Sequence, residues 1–229
     1  MKKNYCIIGT GRQGTSAAYD LLKYADINQL LLLDCDQRSI SNCLKRIQPV
    51  ILDKKVVSSV IDFNDQNILI KNLENVDIFL SSVPYCYNLM LTKIALTSST
   101  SMIDLGGHTG NVIKQLNYDQ EAKKENITIV PDCGMGPGMN VTMALLAMEH
   151  FDKPQEVRIW DGGLPKYPKE PWNYSLFFNI NGLTNEYDAN AFFLKAGKIN
   201  EVSCFKGYEI IDFGNKIGKG VYIYKLRVK

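Results

Sequence analysis

The chain has 229 residues, 45% hydrophobic and 22% charged, enough for one large domain or two small ones and too apolar for a disordered polymer. Its 26 basic and 24 acidic side chains leave a formal charge of +2, which argues against the clustered positive face of a dedicated nucleic-acid binder. No apolar run approaches the roughly 18 residues of a membrane span, and the stretch after Lys2-Lys3 is too short for a signal peptide.

Taken in chain order, the first 150 residues alternate two kinds of segment. Short apolar runs at 4–8, 29–33, 56–60, 76–81, 101–104 and 127–130 read as strands buried on both faces of a parallel sheet. Segments 13–24, 39–48, 87–97, 112–125 and 139–150 read as helices. In the first of them Ala17, Ala18, Leu21, Leu22 and Ala25 share one helical face. This alternation predicts right-handed crossovers and an α/β fold, a Rossmann doubly wound parallel sheet. After His150 the pattern changes. Residues 161–171 hold Pro165, Pro168 and Pro171 with Gly162 and Gly163, which predicts a long loop. Strand-like runs at 156–160, 174–180, 202–205, 209–213 and 221–226 predict a second, α+β unit. The expected division is 1–150 and 151–229. The last run, 226–229, reads as a strand edge with nothing beyond it to cover it.

The six cysteines are scattered and none forms a C-x-x-C pair, so they read as reduced thiols of a cytoplasmic protein rather than a disulfide framework. His108 and His150 have no cysteine or carboxylate partners at metal-ligand spacing, and no metal is expected.

Gly9-Thr10-Gly11-Arg12-Gln13-Gly14 is a G-x-G-x-x-G sequence that leaves an expected strand and opens an expected helix. In that context Gly9 makes the tight turn, Gly11 admits a pyrophosphate, and Gly14 lets helix and strand approach. The helix N-terminus offers free N–H groups to the phosphates. Arg12 adds a cation beside them. Asp34 follows Leu30–Leu33, 20 residues after Gly14, where a carboxylate accepts from the ribose hydroxyls. NAD is therefore the expected cofactor, with Arg38 keeping NADP as the lesser alternative. Ser82 and Pro84, after the fourth strand, are expected to pass the dinucleotide across the sheet edge. The next two strand ends carry Asp104-Leu105-Gly106-Gly107-His108 and Pro131-Asp132-Cys133-Gly134. Asp132 and His108 are the candidates for proton transfer, and Cys133 is placed to touch substrate. Asp104 and Asp132 also admit a plainer reading as turn-capping residues.

Three loops together resemble the saccharopine dehydrogenase family: Gly9–Gly14, Gly134-Met135-Gly136-Pro137-Gly138 and Asp161-Gly162-Gly163-Leu164-Pro165. Within it, Asp104–His108, Pro131–Gly134, Gly162–Pro165 and Gly182-Leu183-Thr184-Asn185-Glu186-Tyr187 are most similar to the L-lysine 6-dehydrogenase branch. The resemblance implies a dinucleotide domain, a substrate domain and oxidation of a carbon–nitrogen bond by NAD(P). The substrate would be a small amino acid, lysine-like, with Gly163, Asn173 and Tyr174 lining its pocket and Asp161 and Glu186 as further acidic groups. Saccharopine is the alternative substrate. Asn181-Gly182 stands where saccharopine reductases place a carboxylate-gripping arginine, which favours the simpler amine. Neither nucleic acid nor membrane is an expected partner, and a homo-oligomer is compatible. Family members run well beyond this length, and residues 221–229 leave the pattern. The resemblance therefore implies a chain trimmed at its C-terminal side, with a truncated, non-catalytic NAD-binding protein as the other reading.

Overall fold

The computed structural model describes residues 2–160, 165, 167, 169–171, 173–176, 180–187, 190–204, 206 and 225–228. By its contacts the chain divides into two compact units, Met1–Gly134 and Met135–Lys229.

The first unit is built on six parallel strands: β1 (Lys3–Ile8), β2 (Ile27–Asp34), β3 (Lys55–Val60), β4 (Ile78–Ser81), β5 (Ser101–Asp104) and β6 (Ile129–Val130). Their order is β3-β2-β1-β4-β5-β6. The order reverses between β1 and β4, which makes the carboxyl ends of those strands the place where such sheets bind ligands. The register explains why apolar runs, not alternating ones, formed the strands. Ile7, Leu30 and Leu32 face one side with Ala18, Leu22, Cys43 and Ile47. Cys6, Ile8, Leu31 and Leu33 face the other with Leu69, Leu73, Leu91, Ile94 and Ala95. Helices α1 (Arg12–Tyr24) and α2 (Gln37–Ile51) cover the first face; α3 (Gln66–Leu73) and α4 (Asn88–Thr97) cover the second. A 3-10 turn, Tyr85–Tyr87, precedes α4, and α5 (Thr109–Leu116) and α6 (Asp119–Lys124) lead to β6.

The Rossmann-type α/β fold expected from the sequence is the fold of this unit, with differences of detail. Helix α3 went unread; its signal is Asp65, whose side chain accepts from the Asn67 and Ile68 N–H groups as an N-cap. The single helix expected over 112–125 is two, because Asn117 and Tyr118 end α5 and restart the chain. The strand expected from 127 begins at Ile129.

The second unit contains α7 (Met139–Met148), β7 (Val157–Trp160), α8 (Ile180–Tyr187), β8 (Asn190–Lys195), β9 (Lys198–Ser203) and β10 (Lys225–Val228). Strands β8 and β9 form an antiparallel hairpin, and β10 pairs antiparallel with β7. The final run, read as an uncovered edge, is thus paired along one side. Helix α7, assigned to the first domain by the boundary at 150, belongs to this unit, where it touches β7 and β10. Of the strand expected over 174–180, residues 174–176 are irregular, 177–179 lie outside the described residues, and Ile180 opens α8. The strand expected over 209–213 lies outside the described residues.

Among the described residues no helix is long and apolar enough to cross a membrane. All six cysteines are free thiols.

Candidate functional site

The site in the first unit starts at the end of β1. Gly9 has φ +93°, in the left-handed region that glycine reaches without penalty, and a Cβ there would stand 2.8 Å from Val83 Cγ1. A Cβ on Gly14 would collide with the Gly9 carbonyl oxygen, so helix and loop touch as the fingerprint requires. Gly11 is the contrast: nothing lies within 4 Å of where its Cβ would be. That open space above a helix N-terminus fits a pyrophosphate, and Arg12 and Gln13, both exposed, flank it in the first turn of α1.

Asp34 has partners within the fold. It is buried, and its Oδ2 accepts from the Thr10 N–H at 2.6 Å and the Thr10 hydroxyl at 2.9 Å. Its Oδ1 accepts from the Asp36 N–H at 3.0 Å. The carboxylate braces the glycine loop from inside. The exposed acid at this strand end is Asp36, which caps α2 through the Arg38 and Ser39 N–H groups. Those bonds hold its carboxyl below the usual carboxylate range, the Arg38 N–H contributing most. Beside the loop runs a groove of about 500 Å³ lined by Thr10, Gly11, Arg12, Thr15, Ser16, Ser39, Asn42 and Arg46. Ser39, Asn42 and Arg46 recur at helical spacing on α2, a stripe unread in the sequence because nothing local marks which face of α2 meets α1.

Ser82 is also turned inward. Its hydroxyl donates to the Ile8 carbonyl at 3.1 Å and the Gly9 carbonyl at 2.5 Å, tying β4 to the glycine loop. Pro84 opens the 3-10 turn and its carbonyl accepts from the Tyr87 N–H at 3.0 Å.

At the ends of β5 and β6 the structure brings Asp104, Gly106, Gly107 and Asp132 together. The Asp132 carboxyl lies over Gly106, where a Cβ would collide with its Oδ1, and it accepts from the Gly107 N–H. Burial, and then the neighbouring Asp104 charge, push Asp132 above the usual carboxylate range. The Cys133 thiol is pushed up by burial and by the same two carboxylates, which suits a neutral contact rather than a nucleophile. His108 caps α5: its Nδ1 accepts from the Asn111 N–H at 3.1 Å, which assigns the neutral ring's proton to Nε2. Its ring stacks on Tyr85, centroids 5.2 Å apart, and the Tyr85 carbonyl accepts from Asn111 Nδ2 at 2.9 Å.

Asn173 and Tyr174 belong to the second unit. Asn173 is exposed, with φ +52°, and donates from Nδ2 to Glu170 Oε1 at 3.3 Å. Gly163 and Asp161 lie outside the described residues, as does the side chain of Glu186.

Known proteins match most of the chain. Over 210 residues, 89% of the chain, the sequence is 25% identical to the NADP+-dependent, L-glutamate-forming saccharopine dehydrogenase of Saccharomyces cerevisiae. It is 24% identical over 149 residues, 62% of the chain, to the enzyme of the same name from Pyricularia oryzae. The chain spans 44% and 32% of the length of these two relatives. The solved apo structure of the yeast enzyme superposes with a TM-score of 0.64 at 23% identity, covering 88% of this chain and 44% of that one. Residues 5–130, more than half of the chain, match the saccharopine dehydrogenase NADP-binding domain, and the chain belongs to that family of pyridine-nucleotide-binding proteins.

Proposed function

We propose that the chain takes part in a pyridine-nucleotide-dependent oxidation of an amino-acid amine, moving a hydride from the carbon that bears the nitrogen. The observation that carries this reading is that two features open from the carboxyl edge of one sheet. One is the phosphate loop with room above Gly11; the other is the Asp132 carboxyl, which lies over Gly106–Gly107 and is raised above its ordinary value by burial and by Asp104. A bound nicotinamide supplies the hydride acceptor. Asp132 takes the ammonium proton beforehand, because only a free amine lone pair can drive hydride from its carbon. After oxidation the carboxylic acid returns that proton to solvent, and the regenerated carboxylate takes a proton from the water that adds to the iminium carbon; the carbinolamine then breaks its carbon–nitrogen bond to leave an aldehyde and the amine fragment. His108, with its proton on Nε2, contributes a hydrogen bond from the edge of the pocket rather than a second base.

Two substrates suit this chemistry. A primary amine such as the lysine side chain follows from the sequence pattern at Asp104–His108. Saccharopine, a secondary amine, is named by both relatives. For the cofactor, the expectation of NAD rested on Asp34 ending the second strand with no phosphate-binding arginine directly after it, and that carboxylate already accepts from Thr10 and the Asp36 N–H. The groove with Arg12 and Arg46 offers cations where an adenosine 2′-phosphate would add charge. We therefore infer that NADP(H) binds at least as tightly as NAD(H).

Calorimetric titration with both dinucleotides tests the cofactor, and nicotinamide absorbance with saccharopine and lysine at alkaline pH tests the reaction. Dinucleotide binding with turnover of one amine is the expected result. Binding without turnover of any amine would reassign the chain to a nucleotide-binding role without chemistry.

A further inference from the structure

We propose that Asp104 is a positioning residue for Asp132, itself locked from behind by Gln115. The inference rests on the reading of Asp132 as the base. Asp104 ends β5 and is wholly buried. Its Oδ1 accepts from the Gly106 N–H at 2.7 Å and from the Asp132 N–H at 3.2 Å, and its Oδ2 accepts from Gln115 Nε2 at 2.7 Å. Its own carbonyl accepts from the Cys133 N–H at 2.8 Å. Every partner of the side chain is a donor, which suits an acceptor-only carboxylate.

A residue that merely capped a turn would need the Gly106 contact alone. Asp104 also reaches a backbone N–H 28 residues further along the chain, and a helix that does not belong to either loop. Gln115, on α5, is almost fully buried. It divides its amide N–H groups between Asp104 and Thr92 Oγ1, the latter at 3.0 Å. Thr92, wholly buried on α4, donates in turn to the Asn88 carbonyl at 2.8 Å. The lock therefore runs from α4 through α5 to the end of β5.

What it holds is an uncommon backbone. Asp132 has φ +57°, which a non-glycine residue adopts where its surroundings fix it. Asp104 fixes its N–H, and Gly107 fixes its carboxyl. Among the described residues Asp104 is the charged group that acts on Asp132, and both carboxylates act on the adjacent Cys133 thiol. The Asp104 charge opposes ionisation of Asp132 in addition to burial, while the Cys133 thiol is itself pushed up. Asp104 thus sets both where the Asp132 carboxyl lies and how readily it keeps a proton.

The test follows the carboxyl carbon of Asp132 by NMR in aspartate-labelled full-length protein, with Asp132→Asn identifying the resonance. In the unmodified protein its titration midpoint should lie above the usual carboxylate range. Asp104→Asn should lower that midpoint by removing the like charge. Gln115→Met, which keeps the volume and removes the donor, should speed amide exchange at Gly106 and Asp132 by roughly tenfold. It also stands in if Asp104→Asn does not fold. A midpoint unmoved in folded Asp104→Asn, or exchange unchanged in Gln115→Met, overturns the proposal. Turnover undiminished in Asp132→Asn would instead remove the base assignment beneath it, so the two failures are separable.

Discussion

The two units differ in where their apolar residues go. In Met1–Gly134, Phe79, Ile7, Leu30, Leu32, Leu33 and Leu91 are wholly buried, packed from both faces of one sheet. In Met135–Lys229, Ala144 is the buried apolar residue among those described, while Leu145, Leu146, Phe192, Phe193, Leu194 and Ile199 are exposed. A parallel sheet with helices on both sides encloses its own core, whereas a two-stranded hairpin has little to enclose. Nucleotide recognition therefore resides in the unit that encloses its own core.

The largest effect that would break this contrast concerns Phe79 and Phe193. Phe79→Ala should cost about 3–5 kcal/mol in urea unfolding, and Phe193→Ala less than about 1 kcal/mol. Equal costs would mean that the second unit buries its phenylalanines as the first does. Next comes Gly11→Val. Since the space above it is open within the protein, the melting temperature should hold. Dinucleotide affinity should fall roughly a hundredfold, about 3 kcal/mol, by calorimetry. Arg46→Ala should weaken NADP roughly tenfold and leave NAD unchanged, the loss of one charged hydrogen bond; equal losses for both would remove the groove from 2′-phosphate recognition. The smallest effect is acidic. Lys3 Nζ meets Asp77 Oδ1 at 2.8 Å, and that bond, then the Asn4 N–H, hold Asp77 below the usual carboxylate range. A depressed folded value means the contribution is complete above the unfolded value, about 3.9, and is lost as pH falls through the folded one. Asp77→Asn should therefore cost a small amount of stability at neutral pH and nothing at strongly acid pH, in paired thermal melts.

Much of the first unit was legible because its determinants are local. Leu30–Leu33 is a strand buried on both faces, and Gly9–Gly14 carries its turn in its own composition. The site was only half legible. Asp132 and His108 stood out as titratable groups at strand ends. That Asp34 turns toward Thr10, or that Gln115 reaches Asp104, depends on which strands and helices become neighbours. No spacing rule gives that. Tyr174–Ile180 misled through its aromatic and branched residues, which favour strands, although Ile180 opens a helix.

The bond from Asp34 to Thr10 has a practical corollary for anyone wishing to exchange one dinucleotide for another. The usual substitution at the end of the second strand would here withdraw the internal strut of the loop. Any altered selectivity would be confounded with a slackened pyrophosphate cradle. The separable handles are the solvent-facing Asp36 and Arg38, whose side chains can be exchanged while Thr10 stays clamped.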